Sequence, residues 1–308
     1  MAMEPAMNST LLMRAALTLA IGTFAVIAAA QEGQPAEFRQ IAPDLYFNFD
    51  YDGSNSAVLI TDEGVLIVDS RTHPDAAALL LAEIRKITDA PIAYVVNSQH
   101  HGDHYMGNVV FEREGATFIA HEDTRDEIVR RFPTEVVSRF AGRDEDPAEV
   151  VLVLPDIVFS DRMTLELGGH TVELIYLGPG QNDGDTLVYF PHARALHTGG
   201  VFHNRSWANT SFTPSMEGWV DVLRAMREID AEIYLPPHGD LATATDVDRF
   251  TDFIARLGSS VRAGIDAGQP LEQMLDTLTF DEYADWRGYD RRRRNITQIY
   301  ELMTRAPD

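Results

Sequence analysis

Cysteine is absent from the 308 residues, and lysine occurs once, as Lys86, among 25 basic side chains. Without cysteine no disulfide braces the fold, so stability has to come from a packed core, hydrogen bonds or a bound metal. Lys86 falls in an amphipathic run over residues 74–87. Its ammonium is best placed on the solvated outer face, which leaves no lysine for Schiff-base or phosphate-cradling chemistry. A cationic surplus is missing too. The 48 acidic residues set a net charge of −23, and this balance argues against a protein whose task is to neutralise nucleic-acid phosphates. With 45% hydrophobic and 24% charged residues the composition is that of an ordinary globular protein, not of a disordered or fibrous one.

Long apolar runs are scarce. The exception follows Arg14, where residues 15–30 carry no charge and end in Ala28, Ala29 and Ala30. This is the layout of a secretory signal, shorter than a spanning helix needs. We expect residues 1–30 to be a signal peptide, the mature chain to start at Gln31, and the protein to be periplasmic or secreted, with no stable membrane span after cleavage.

Residues 31–308 read as a single domain. Short apolar runs at 45–49, 57–60 and 65–68, parted by turn residues, predict a β-meander, and residues 74–87 predict a surface helix that opens on Pro74. A buried strand at 92–96 feeds directly into Asn97, Ser98 and Gln99. A strand at 117–120, a helix at 121–131, strands at 157–160, 164–167, 171–177, 186–190 and 195–197, a helix at 216–229 and a strand at 233–235 follow. Helices at 247–267, 271–278 and 291–303 make a helical tail from about residue 242. Gly178, Gly180 and Gly184 read as turn glycines, because no helix pattern follows them as a dinucleotide fingerprint requires. The run Arg291 to Arg294 reads as locally ion-paired with Asp281, Glu282, Asp285 and Asp290, and the tail aromatics Tyr283, Trp286, Tyr289 and Tyr300 as packing groups. Sheets with helices outside them and polar clusters at strand ends predict a layered α/β protein with its site along one edge.

The densest polar cluster is Gln99-His100-His101-Gly102-Asp103-His104. Imidazoles and a carboxylate at this spacing suit a divalent ion such as zinc, and Gly102 lets the backbone turn between them. Loop ligands need a distant third, and His238 supplies it, approached through Pro236 and Pro237 and followed by Gly239.

Asn97 to His104 resembles the metal loop His-x-His-x-Asp-His of the metallo-β-lactamase superfamily. The similarity extends through Gly64 to Asp69, Leu177 to Gly180, Leu187 to Pro191, Thr198-Gly199-Gly200 and Pro236 to Gly239. The resemblance implies an α/β fold, a four-layer αββα sandwich carrying a C-terminal helical extension. It also exposes departures: Gln99 and Gln181 stand where the family has histidines, and Gly200 where an acid or cysteine bridges two metals. Amide oxygens are weaker zinc donors than imidazoles. The resemblance therefore implies one Zn2+ held by Asp103, His104 and His238, with a second ion doubtful.

On this reading His101 and Asp103 are the catalytic residues. A zinc-bound hydroxide attacks an ester, lactone, amide or related electrophile in a small-molecule substrate, and His101 acts as general base. Gln99, Gln181 and His203 are candidate substrate or secondary metal contacts, and Asp69 orients the metal loop from behind. His197 reads as a packing or hydrogen-bonding group, as do His121 and His170. His100 takes the variable place in the loop, and Asn204 and Asn209 are candidates for the pocket floor. Two other functions fit: a noncatalytic metal- or ligand-binding accessory protein on the same scaffold, and redox or oxygen chemistry at a non-zinc metal. The C-terminal helices offer a surface for a homo-oligomer.

Overall fold

The structure, a computed structural model, describes residues 38–50 and 53–305, so the expected signal segment lies outside it. The apolar runs of the first half form one mixed sheet. Strands β1 (Phe38–Ala42), β2 (Leu45–Asn48), β3 (Ser56–Ile60), β4 (Val65–Val68), β5 (Ile92–Asn97), β6 (Thr117–His121) and β7 (Ile157–Phe159) lie side by side in sequence order. Pairing is antiparallel up to β4 and parallel from β4 to β7. Every residue of β3 and β4 is buried, as strands covered on both faces should be. The second sheet holds β8 (Arg162–Leu167), β9 (His170–Ile175), β10 (Leu187–Phe190), β11 (Ala195–His197) and β12 (Ile233–Leu235), antiparallel except between β11 and β12.

The helices are α1 (Pro74–Arg85), α2 (Gly102–Tyr105), α3 (Asn108–Arg113), α4 (Glu122–Arg139), α5 (Met216–Met226), α6 (Ala244–Asp266), α7 (Leu271–Thr277) and α8 (Arg292–Thr304). Between the sheets lies a core that includes Leu59, Leu66, Val96, Leu174, Val188 and Phe190. A second core packs α1 and α3 on the outer face of the first sheet, and a third, the largest, packs α5, α6 and the tail on the second. The layers are therefore helix, sheet, sheet, helix. The αββα sandwich with helical extension is present, and the described residues form one compact unit. Among the described residues no helix is long and apolar enough to cross a membrane.

Three expectations need correction. An edge strand, β1, precedes the first expected one, paired with β2. The polar loop is no open loop after Gln99, since its second half winds into α2. Finally, α4 does not stop at residue 131 but continues through Pro133 to Arg139. Proline costs that helix one hydrogen bond and some crowding. Val136 and Ile128, buried with Tyr105 and Phe140, hold the second half in place regardless. The tail aromatics pack as expected: Tyr283 and Trp286 are buried against Phe253.

Candidate active site

Strand β5 ends in the buried residues Val95, Val96 and Asn97, and the next residues, Ser98 and Gln99, are fully buried too. Gly102 then starts α2. A Cβ on Gly102 would meet the Met106 side chain at 2.5 Å and Arg139 Nε at 2.8 Å, so a larger residue there would displace those two side chains. His238 follows β12 and is steered from afar. The Asn55 side chain donates to Pro236 O at 2.9 Å and Gly239 O at 2.8 Å, and Asn55 N donates to Pro237 O at 2.7 Å. Next to it, Ser54 Oγ donates to Asp103 O at 2.6 Å. One short segment thus ties both arms together. Asp103 Oδ2 lies 3.6 Å from His104 Nε2 and 3.3 Å from His238 Nε2, and the ligand atoms of the three residues lie within 4.8 Å of one another.

Asp69 holds this arrangement from behind. Fully buried, with φ +66°, it accepts from Ser98 N at 2.8 Å and Ser98 Oγ at 2.7 Å, and from His104 Nδ1 at 2.6 Å. Fixing Nδ1 turns His104 Nε2 toward Asp103 and His238, the tautomer and orientation a metal ligand needs. Two residues on, Arg71 also has a left-handed backbone, φ +82°, and its buried guanidinium meets Asp50 at 3.1 Å and Ser54 O at 2.5 Å. Non-glycine residues in that region cost energy, and the surroundings have to hold them there. Here they do so beside the site.

Charges around Asp103 keep it ionised. Burial alone would raise its pKa, but Arg139, 3.1 Å from Oδ1, together with His104 and His238 holds it well below the usual carboxylate range. Burial likewise works against a charged His104, and the Asp69 and Asp103 carboxylates override it and raise the imidazole. One anionic oxygen and two imidazole nitrogens facing one another are a donor set that fits a zinc-like divalent ion. Glu135 completes the anchor, accepting from Gly102 N at 2.6 Å and pairing with Arg139 at 3.1 Å.

The neighbouring half is filled by side-chain amides. Gln99 is fully buried, its Nε2 2.8 Å from His104 Nε2 and its Oε1 accepting from Asn182 Nδ2 at 2.8 Å. Asn182 donates to both oxygens of Asp185, at 2.8 and 2.9 Å. Gln99 therefore sits behind the cavity wall, whereas Gln181 reaches the wall and donates to Asn209 O at 3.1 Å. There is no room for a bridging acid at Gly200: a Cβ there would meet Asp185 Oδ1 at 2.5 Å and Gln181 Oε1 at 2.8 Å. Burial pushes Asp185 up to about 7, although N–H donors of Asn182 and Gln181 and the nearby His104 oppose the shift.

A cavity of about 690 Å³ opens over the centre, and His101, Asp103, Gln181, His203 and His238 line it. Burial, with His100 alongside, holds His101 well below the usual imidazole range. Burial and His238 do the same to His203. Both rings are neutral, and the Nε2 atoms of both are buried without a hydrogen-bond partner. His197 is fully buried, accepts from Gly199 N at 3.3 Å and lies off the cavity. His121 caps α4, and His170 lies 3.2 Å from Asp44. His100 lies beneath Phe212, and Asn209 lines the cavity, while Asn204 is tied to Asp240 O and Leu241 O. Lys86 pairs with Glu83 on the surface.

Sequence reasoning missed Asn55, Arg71, Glu135, Arg139 and Asp185. Only Glu135 and Arg139 left a signal, an acid–base pair at helical i,i+4 spacing, and it lay beyond the assumed helix end. The reading of Arg291 to Arg294 needs correction. Arg205 takes Asp285 and Arg256 takes Glu282, while Arg293 pairs with Asp276 at 2.8 Å. Arg291 and Arg294 face the cavity.

The 2,4-dinitroanisole O-demethylase subunit alpha of Nocardioides sp. is 24% identical over 178 residues, which cover 58% of this chain and 50% of that protein. The linear primary-alkylsulfatase of a Pseudomonas sp. is 25% identical over 211 residues, covering 58% of this chain and 40% of the relative. The chain thus spans half or less of the length of these two relatives. Among solved structures, the inverting sec-alkylsulfatase Pisa1 from Pseudomonas sp. superimposes with a TM-score of 0.72 at 15% identity, over 87% of this chain and 50% of that one. The model of the metallo-beta-lactamase superfamily matches residues 50–238, from Asp50 on Arg71 to the ligand candidate His238. The chain belongs to the metallo-β-lactamase superfamily.

Proposed function

We propose that the protein is a hydrolase that works through a single divalent ion, zinc by the character of its ligands, on an ester, lactone, amide or related electrophile of a small molecule. The observation that carries this reading is the meeting of Asp103, His104 and His238 at the cavity, next to a second half closed by Gln99, Asn182 and Asp185. Asp103, His104 and His238 would hold the ion, which when bound supplies Lewis acidity and makes water a nucleophile near neutral pH. Asp69 holds His104 in the ligating orientation, and Arg139 and Glu135 fix Asp103 and the backbone at Gly102. His101 lines the cavity beside Asp103 and is the residue we assign as general base. His203 and Gln181 line the cavity and are the substrate contacts we propose. The alkylsulfatase among the relatives supports an ester-type bond. Export to the periplasm or medium belongs to the same proposal.

A noncatalytic metal- or ligand-binding protein is the second reading, and it draws on the amide network that fills the other half of the site. One experiment separates the two. Protein purified without added metal is analysed for bound ions and assayed on a panel of esters, lactones and β-lactams. The hydrolase binds one ion per chain, and Asp103→Ala loses both the ion and turnover, a rate loss of about a thousandfold or more as expected when the metal is lost. Stoichiometric metal with no turnover across the panel favours the second reading.

A further inference from the structure

We infer that the helical tail beyond residue 238 gives this site its substrate class: Arg291 and Arg294 bind an anionic oxygen group of the substrate, so that the enzyme prefers esters carrying an oxyanion. The inference rests on the hydrolase reading and adds to it residues outside the segment that the superfamily model matches.

The protein as a whole is strongly acidic, yet its main cavity is lined by six arginines and only two carboxylates, Asp103 and Glu135. The arginines come from two directions. Arg131 and Arg139 share a face of α4, followed by Arg143 just beyond it, while Arg287, Arg291 and Arg294 come from the start of α8 and the residues before it. Several of these charges have work inside the protein. Arg139 pairs with Asp103 and Glu135, Arg131 with Glu127, and Arg143 with Glu145.

Arg294 differs. Among the described residues it makes no hydrogen bond or ion pair, and it is exposed on the cavity wall. Arg291 lies one helical turn earlier, and among the described residues its guanidinium makes one hydrogen bond, a long one of 3.4 Å to Trp207 O. It lines the same cavity as His203 and His238. Positions 291 and 294 are at i,i+3 spacing, so both guanidinium groups sit on one face at the start of α8, where the helix dipole also favours an anion. Fork-shaped donors of this kind match sulfate, phosphate and carboxylate oxygens with paired hydrogen bonds. Phe212, partly exposed on the cavity wall, gives an organic body something to rest on. The cavity is large enough for such a molecule.

Hydrolysis of the ester consumes one water. The bond to the leaving oxygen breaks and a bond to the water oxygen forms. One water proton ends on the leaving alcohol and the other departs with the acid product, so no oxidant or reductant takes part.

The test uses the full-length protein loaded with zinc and three substrates that share one leaving group: p-nitrophenyl sulfate, p-nitrophenyl phosphate and p-nitrophenyl acetate. In Arg291→Gln, Arg294→Gln and the double variant, kcat/KM for an anionic ester relative to the acetate falls about tenfold to a hundredfold, mostly through KM, as loss of a charge-assisted contact requires. Arg294→Lys recovers part of the loss. Whichever anionic ester shows the drop identifies the oxyanion. A ratio unchanged in all variants overturns the inference and leaves the hydrolase reading standing. Calorimetric titration with inorganic sulfate and phosphate gives an independent readout: affinity in the double variant falls at least tenfold. If no ester is turned over but this loss is seen, the anion site stands and the hydrolase reading falls. If wild-type protein binds neither anion and prefers the neutral ester, the inference is overturned.

Discussion

Asp185 shows how much one residue changes the reading of this site. Gly200, seen in the sequence, suggests a missing bridging acid. In the fold, a carboxylate from a different loop fills the space next to Gly200 and is bound by amides instead of metal. It is almost completely buried and its pKa is pushed up to about 7. An unfolded aspartate ionises near 4, so between about pH 4 and 7 the folded protein keeps a proton that the unfolded chain has released. This group therefore costs stability as pH rises through that window, on the order of 2–4 kcal/mol once both states are ionised. In metal-free protein, Asp185→Asn should gain melting temperature relative to wild type between pH 5 and pH 8. Parallel melting curves for the two proteins across that range would mean that Asp185 is ionised throughout. Gln99 is the other residue whose role changes. As a sequence symbol it is a weakened ligand; in place it is a buried hydrogen-bonding partner of His104 and Asn182, away from the cavity.

At the scale of elements, α4 decides more than its sequence suggests. Pro133 marks a reasonable end for a helix, yet the helix runs on to Arg139 because Val136 has a core to fill. Two further turns bring Glu135 under the Gly102 amide and Arg139 against Asp103. We expect Arg139→Gln to weaken zinc affinity about tenfold to a hundredfold, the usual loss when support behind a ligand is removed. Competition with a chromophoric chelator measures this, and an unchanged affinity would assign Arg139 to the cavity wall alone. The segment Ser54-Asn55 is the equivalent on the other side, joining the Asp103 loop to the His238 loop by hydrogen bonds that no local pattern announces.

For the molecule as a whole, the absence of cysteine leaves metal binding as a reserve of stability. An ion that binds only the folded chain adds about 2.7 kcal/mol when free ion exceeds Kd a hundredfold. In a domain of this size that raises Tm by about 5–8 °C. Thermal melts with zinc and with a chelator should differ by that amount, and Asp103→Ala should abolish the difference. No shift with any divalent ion at neutral pH would end the metal reading. The charge pattern also belongs to this scale, since an acidic exterior and an arginine-lined cavity set up a field that steers anions inward.

Local order was enough for much of this protein. Apolar runs ending in turn residues gave the strands, helical spacing gave α1, α5 and α6, and the crowding of Asp103 and His104 after a buried strand marked the candidate metal centre, because ligand spacing within a loop is a local property. What depended on distant parts of the chain could be read only from the packed molecule: Asn55 on the approach to His238, Asp185 beside Gly200, Arg139 on Asp103, and the turning of Arg291 and Arg294 toward the cavity. In each case two segments far apart in sequence meet because cores on both faces of the sheets bring them together, and no periodicity records which polar side chain will be opposite which.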